Sequence, residues 1–551
     1  MKNNLVLLRQ EAMSFIHKNI DNLDIRERQV LFVNCSMLYD KTFIDLISAK
    51  DTDSRAFYND ILWYGYPVFI STLYDTEFDN LIGVALPKMD EERILFCRSL
   101  LYAFKTIGWI DFFLENERIG NMKISNTFNH CRIKFTKKYH WNEFLEKEYI
   151  NYYSKIMATA QAESYGELEK RRPEILAKMS SLVFVFLNDF IGYGSDHDIE
   201  QFFHEHALLD AQQETEWELF DDRSKFSGIN YGNFVETIID FSGYAIKHIN
   251  FCHLLQNNNP HLQMENLMYN CSELDEIEDL IMENRGIDRH QAEIIFNNIA
   301  LNSHTYSLYN SSQLPPTVFI KVSSRQYLHS ISGSLWHPFA FMLENLHSNF
   351  AKDWDRNANE RENLFKKQLY ELFEGFTCLE KNIQIKQNGK TVTDIDATII
   401  DRSSGEIAFF QLKWQDLTDF SLKSLSSKAK NFNNTTDQWV KTVKTWIDTC
   451  STEELSNKLG IKEKYIDKNK IYLFVLGRRH GNYSRDLFVD DGCAWAQWYQ
   501  LLSCILLLKK DGLKISTLHD LVRISSPYNK KIIERKTKYK IGKYTILYGG
   551  Y

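Results

Sequence analysis

Two aspartates, a glutamine and a lysine crowd one short stretch, TDIDATIIDRSSGEIAFFQLKWQ, at residues 393–415. Side chains of an extended strand alternate between faces, so Asp394, Asp396, Thr398 and Ile400 share one face, and beyond the turn Phe409, Gln411 and Lys413 share one. If residues 402–405 form the loop, Asp401 pairs with Glu406 and the numbers of cross-strand partners sum to 807. That register sets Asp396 opposite Gln411 and Asp394 opposite Lys413. A two-residue loop of Ser403 and Ser404 keeps it. Four polar groups thus meet on one patch. One explanation is an exposed edge hairpin with an Asp394–Lys413 ion pair, since such groups are costly to bury without partners.

A helix is predicted just upstream, in RENLFKKQLYELFEGF. Counted from Glu362, the apolar residues Phe365, Leu369, Leu372 and Phe373 lie at offsets of 3, 7, 10 and 11. At 100° per residue all fall within about 80° of Glu362. Glu362 is therefore expected to point inward, whereas Glu371 and Glu374 face solvent. After the QLK strand come a helix containing TTDQWVKTVKTWIDTC and a buried strand, NKIYLFVLG, that ends at Arg478, Arg479 and His480.

A helix glutamate, a strand aspartate and a lysine two residues beyond an acid or amide resemble the PD-(D/E)xK nuclease superfamily. The likeness covers about residues 360–414 at motif level and extends to 351–551 as a domain. Ile395 stands where the name-giving pattern has proline. Gln411 replaces the usual acid, and QLK is similar to the variant of restriction enzymes that cut modified DNA. The resemblance implies a C-terminal α/β restriction-endonuclease-like domain with a central mixed sheet, and a Mg²⁺-dependent endonuclease in which Mn²⁺ can substitute. It implies metal ligation by Asp396, Glu362, the Gln411 side-chain oxygen and the Leu412 carbonyl, with Lys413 orienting water and Asp394 as an accessory ligand or the partner of Lys413. With an amide for an acid, metal affinity should be modest and Mn²⁺ favoured. Arg478 and Arg479 are candidate phosphate contacts, and Gln438 a weaker one.

Charge divides the chain. Residues 351–551 carry 34 Lys+Arg against 25 Asp+Glu, leaving 31 against 48 in residues 1–350. Polyanion contact therefore suits the C-terminal half, and Lys536, Lys538 and Lys540, interleaved with tyrosines in NKKIIERKTKYKIGKYTILYGGY, are candidates for a nucleic-acid backbone. A solvated edge hairpin accounts for them equally well.

At 551 residues the chain should form at least two domains. Residues 1–350 read as a mostly helical, acidic regulatory or recognition domain, because EERILFCRSLLYAFKTIGWIDFFLEN and GNFVETIIDFSGYAIKHINFCHLLQ repeat apolar residues at three and four spacing. Residues 271–300 are expected to form two helices joined at RGIDR, and a boundary falls near Lys352. His197, His204 and His206 lack the four-residue spacing of helical metal ligands and read as a polar helix surface. Nine cysteines without a CxxC pair are expected to be reduced thiols. The N-terminus lacks the pattern of a secretory signal, and LLSCILLLKK is too short to cross a membrane, so a cytoplasmic location is expected, with no membrane partner. The whole suggests a nuclease acting on DNA, with RNA as the alternative substrate, as in restriction or antiphage defence. A protein partner or oligomer would form through the N-terminal domain. The alternative is a catalytically inactive nuclease fold that binds nucleic acid or protein.

Overall fold

A computed structural model describes residues 4–548 apart from 85–86, 128–129, 215–218, 312–313, 388, 416–421, 480–491, 510–511, 527–536 and 542–543. Side chains of 137–146, 422–430 and a few isolated positions are also outside the description. The chain is mixed α/β, mostly helical, with several mixed sheets, none of them closed among the described residues.

In the C-terminal half a five-stranded sheet runs β1 (Thr377–Cys378), β2 (Ala397–Asp401), β3 (Glu406–Lys413), β4 (Ile471–Gly477) and β5 (Cys493–Gln497), in that spatial order. The β1–β2 and β2–β3 pairs are antiparallel, and β3–β4 and β4–β5 parallel. The long apolar run of β3 is buried except at Lys413, as a central strand covered on both faces requires. One face, carrying Ala397, Ile399, Phe410, Leu412 and Phe474, packs on helix α1 (Ala351–Glu371) and on the helices Trp498–Leu508 and Ile515–Ile524. The opposite face, carrying Ile400, Phe409 and Val475, packs on α2 (Leu422–Thr449) through Trp439, Val440 and Val443.

The β2–β3 turn sets the register. Asp401 accepts from the Ser403 amide at 2.8 Å and from the Ser403 and Ser404 hydroxyls at 2.7 Å each, and Gly405 takes φ of +72°, a conformation glycine enters without a Cβ penalty. Asp401 pairs with Glu406 and Ala397 with Phe410, so the predicted register holds along all of β2.

The N-terminal half has long helices, among them Ile25–Ser48, Glu91–Arg118, Lys137–Leu182 and Tyr231–Asn258, with small sheets between them. Leu274–Arg285 and Arg289–Ile299 are the two helices expected there, joined at a left-handed Gly286. Residues 319–321 and 326–329 form a short antiparallel pair before the helix Ala340–Asn349. All nine cysteines are free thiols, seven of them buried. Among the described residues no helix is long and apolar enough to cross a membrane.

The halves interlock at three places. Trp354 and Arg361 of α1 pack on Phe220, at 4.8 and 5.0 Å, while Phe365, Leu369 and Phe373 of the same helix pack on the sheet. Tyr153 of the helix Lys137–Leu182 meets Tyr499 at 4.7 Å. The strand Tyr544–Tyr548 pairs in parallel with residues 130–133 of the strand His130–Phe135, burying Tyr544 and Ile546 beside Leu5 and Trp109.

Candidate active site

The ladder between β2 and β3 stops at Ala397 opposite Phe410. Residues 390–395 leave the sheet and pair with Ile383–Gln387 in a separate ribbon, Asp394 facing Gln384. Asp396 sits at the point of divergence, 8% exposed, its amide still donating to the Phe410 carbonyl at 3.1 Å. Its carboxylate does the work of the departed strand: Oδ2 accepts from the Leu412 amide at 2.7 Å and from Gln411 Nε2. N–H and C=O of one strand residue point to the same side, so the Leu412 carbonyl also faces the side that the partner strand has left.

Asp396 and Gln411 thus meet as the pairing predicts, although through side chain and backbone at a break. The Asp394–Lys413 pairing does not form. Asp394 belongs to the ribbon, and its Oδ2 accepts from Asn382 Nδ2 at 3.0 Å. Alternation describes faces and gives no sign of a strand changing partners. A sign was present in the sequence nonetheless: Asn388–Gly389 between alternating segments is a strong hairpin signal, and Gly389 has φ of +77°.

Glu362 requires a second correction, for it is exposed rather than inward. The helix wheel gives an azimuth but not a height along the sheet. Phe365, one turn later, already lies against Trp414 at 5.6 Å and Trp498 at 5.3 Å, residues just past the ends of β3 and β5. Glu362 therefore overhangs the end of the sheet, in the layer opposite the one that Gln411 faces. Its negative charge still reaches Asp396. Burial pushes the Asp396 carboxyl up to about 7, the Leu412 amide and Lys413 oppose that rise, and Asp394 and Glu362 add to it.

Three side chains fasten the backbone around the break. Tyr370 on α1 accepts from the Thr398 amide at 3.1 Å and donates to the Leu379 carbonyl at 2.6 Å. Trp439 on α2 donates to the Asp394 carbonyl at 2.7 Å. Lys366 on α1 donates to the Glu380 carbonyl at 2.6 Å and to Asn382 Oδ1 at 3.0 Å. None was singled out from the sequence, yet Lys366 falls only about 40° from Glu362 on the helix wheel, an unusual azimuth for a lysine.

The expected phosphate contacts separate. Arg478 is buried, its amide donating to the Lys413 carbonyl at 2.8 Å and its guanidinium to Gln368 at 2.9 Å, within reach of the rings of Trp414 (4.9 Å) and Trp498 (5.3 Å). It is a core plug tying β4 to α1, not a group turned to substrate, because a planar cation stacks well on aromatic faces. The Arg479 guanidinium lies over Tyr149 at 5.5 Å. Gln438 is exposed on α2, and Lys538 is exposed on the C-terminal hairpin. Lys536 and the side chain of Lys540 lie outside the described residues, as does His480. His204 and His206 contact different carboxylates, Asp240 at 3.0 Å and Asp210 at 3.1 Å.

Among the described residues no group of three or more His, Cys, Asp and Glu side chains is placed to hold a metal. The donors at the break are of another composition: one carboxylate, one amide and one backbone carbonyl. Such hard, mostly neutral oxygens fit a single Mg²⁺ or Mn²⁺ that keeps several waters. Gln411 would have to turn its amide, since its nitrogen now faces Asp396. No family model, curated protein or solved structure matches the chain.

Proposed function

We propose that the chain is a metal-dependent nuclease that hydrolyses phosphodiester bonds, in DNA by preference and RNA as the alternative, a preference that rests on the motif resemblance alone. The observation that carries this reading is the meeting of Asp396, Gln411 and the Leu412 backbone at a strand break, within the fields of Lys413, Asp394 and Glu362. A divalent cation at Asp396 would polarise a phosphate oxygen and acidify a bound water. Asp396 supplies the one buried carboxylate, Gln411 and Leu412 supply neutral oxygens, and the Lys413 ammonium balances charge on the phosphate and orients water. Glu362, exposed on α1, adds its negative field to the site. A role in restriction or antiphage defence fits a large acidic partner region, and an N-terminal surface could receive a protein partner.

A second reading, a non-catalytic binding fold, has one observation in its favour: Gln411 and Asp396 already satisfy each other without a cation. Incubating plasmid DNA and RNA with the purified protein in Mg²⁺, Mn²⁺ or EDTA decides between them. Metal-dependent cutting should vanish in Asp396→Ala and Lys413→Ala of verified fold, by at least about a hundredfold. Absence of cutting, together with no Asp396-dependent rise in Tm with Mn²⁺, would leave the binding fold.

A further inference from the structure

The chemistry outlined above leaves one buried cation without a task. Lys366 is 8% exposed and sits behind the strand break. Through Asn382 it reaches Asp394: Nζ to Asn382 Oδ1 is 3.0 Å, and Asn382 Nδ2 to Asp394 Oδ2 is 3.0 Å. Burial lowers its pKa, while Asp396, Asp394 and Glu380 favour the charged form. Burying a lysine is costly, and two neutral acceptors at Glu380 and Asn382 do not by themselves call for a charge.

The charges around the break suggest what the ammonium does. Among the described residues the carboxylates whose fields reach Lys366 are Asp396, Asp394 and Glu380. An ammonium held beside them offsets part of the negative charge that would otherwise draw a second divalent cation.

We propose that Lys366 is a positioning residue that fixes Asp394 through Asn382, and that its ammonium stands in for a second metal, so that the site loads one divalent cation. This rests on the nuclease reading. Lys366 touches no reacting group. It sets the orientation of Asp394 and the electrostatic capacity of the site.

The test is calorimetric titration of the full chain with Mn²⁺, without nucleic acid, beside the cleavage assay. The wild type should bind one Mn²⁺ per chain, and Asp396→Asn none. Lys366→Met, which keeps the apolar stem and removes the charge, should bind Mn²⁺ roughly three- to tenfold more tightly, or take a second ion, while cleavage falls. A lysine that only supported the fold would weaken binding and cleavage together. Two ions per wild-type chain, or Mn²⁺ binding by folded Lys366→Met that is unchanged or weaker, overturns the proposal. Should Lys366→Met fail to fold, Asn382→Ala breaks the tether and keeps the ammonium. It should lose cleavage yet still bind one ion, and a second ion there overturns the proposal. If the wild type binds no Mn²⁺ through Asp396, the metal-dependent reading itself fails, a result distinguishable from a wild type that binds two.

Discussion

Asp40 in the N-terminal half and Asp396 in the C-terminal half are buried to a similar degree, 4% and 8% exposed, and burial is the largest cause pushing each carboxyl up, to about 6 and about 7. Their company differs. Asp40 accepts from the Ser332 amide at 2.7 Å, the Ser332 hydroxyl at 2.7 Å and the Ser330 hydroxyl at 3.0 Å, all neutral donors at the start of a short helix. Asp396 has two donors, and its remaining neighbours are charges: Lys413, Asp394 and Glu362. A carboxylate enclosed by neutral donors fastens one element to another. A carboxylate sharing its space with like charges raises the energy of the site, and such strain is tolerated where a ligand relieves it.

The sharpest way to break this comparison is to remove each carboxylate and read the sign of the change in stability. Asp40→Ala strands three buried donors and should destabilise the protein by about 3 kcal/mol. Asp396→Asn keeps an acceptor for the Leu412 amide and removes a carboxyl whose ionisation is resisted, so it should stabilise by about 1–2 kcal/mol at neutral pH. Urea unfolding of the two variants measures both. Equal losses would make Asp396 as structural as Asp40.

Proton linkage sharpens the same contrast. His329 and His248 lie beside the Asp40 region, fully enclosed. The Ser334 hydroxyl donates to the Ser330 carbonyl, so His329 Nε2 must donate to Ser334 at 2.9 Å and Nδ1 must accept from Asn270. His248 Nε2 donates to the Leu267 carbonyl, leaving Nδ1 to accept from Tyr193. Both rings are neutral, their pKa values pushed down by burial to about 3 and about 4. Depressed histidines contribute stability that is present above their unfolded pKa near 6.5 and is lost as pH falls through the folded values. Asp40, raised to about 6, contributes in the opposite sense: its stability is present below about 3.8 and is lost as pH rises through 6. Between pH 4 and 6 the unfolded chain therefore binds about one more proton than the native one at these three groups, giving a slope of about 1.4 kcal/mol per pH unit. Asp40→Asn removes one opposing group and should raise the slope of stability against pH by about 1.4 kcal/mol per pH unit relative to the wild type, as urea unfolding of both at pH 4.5, 5.5 and 6.5 would record. An unchanged slope would mean that Asp40 titrates normally.

What the sequence made legible follows the range of the forces involved. The β2–β3 register is local, written in Asp401, two serines and Gly405, and the meeting of Asp396 with Gln411 follows from it. The face of α1 is also local, so Phe365, Leu369 and Phe373 could be placed on the core. The height of Glu362 above the sheet and the departure of residues 390–395 depend on where other elements end, which alternation and helical azimuth do not encode. Arg478 misled for a related reason: a basic residue at a strand end looks solvent-facing until Trp414 and Trp498, far apart in sequence, close over it. Apart from the six-residue strands Met122–Thr127 and His130–Phe135, the small N-terminal sheets are assembled from segments of two to four residues, too short for a periodic signal.

The smallest expected effect lies on the C-terminal hairpin. Lys538 is exposed on a hairpin edge, and Lys538→Ala should change stability by less than about 0.5 kcal/mol. Its effect on nucleic-acid binding separates two roles that charge alone does not. If the hairpin tracks a phosphate backbone, removing Lys538 lowers by about one the slope of log affinity against log salt, with little dependence on sequence. If the lysines serve to keep a sheet edge from pairing with other chains, the salt slope stays and the variant aggregates more readily. Anisotropy titrations of a short duplex at several salt concentrations in EDTA, paired with light scattering, read both outcomes on the same sample. Because the strand Tyr544–Tyr548 is anchored in the N-terminal sheet, a changed salt slope would place the polyanion across both halves of the chain, bringing the acidic N-terminal region into the choice of substrate.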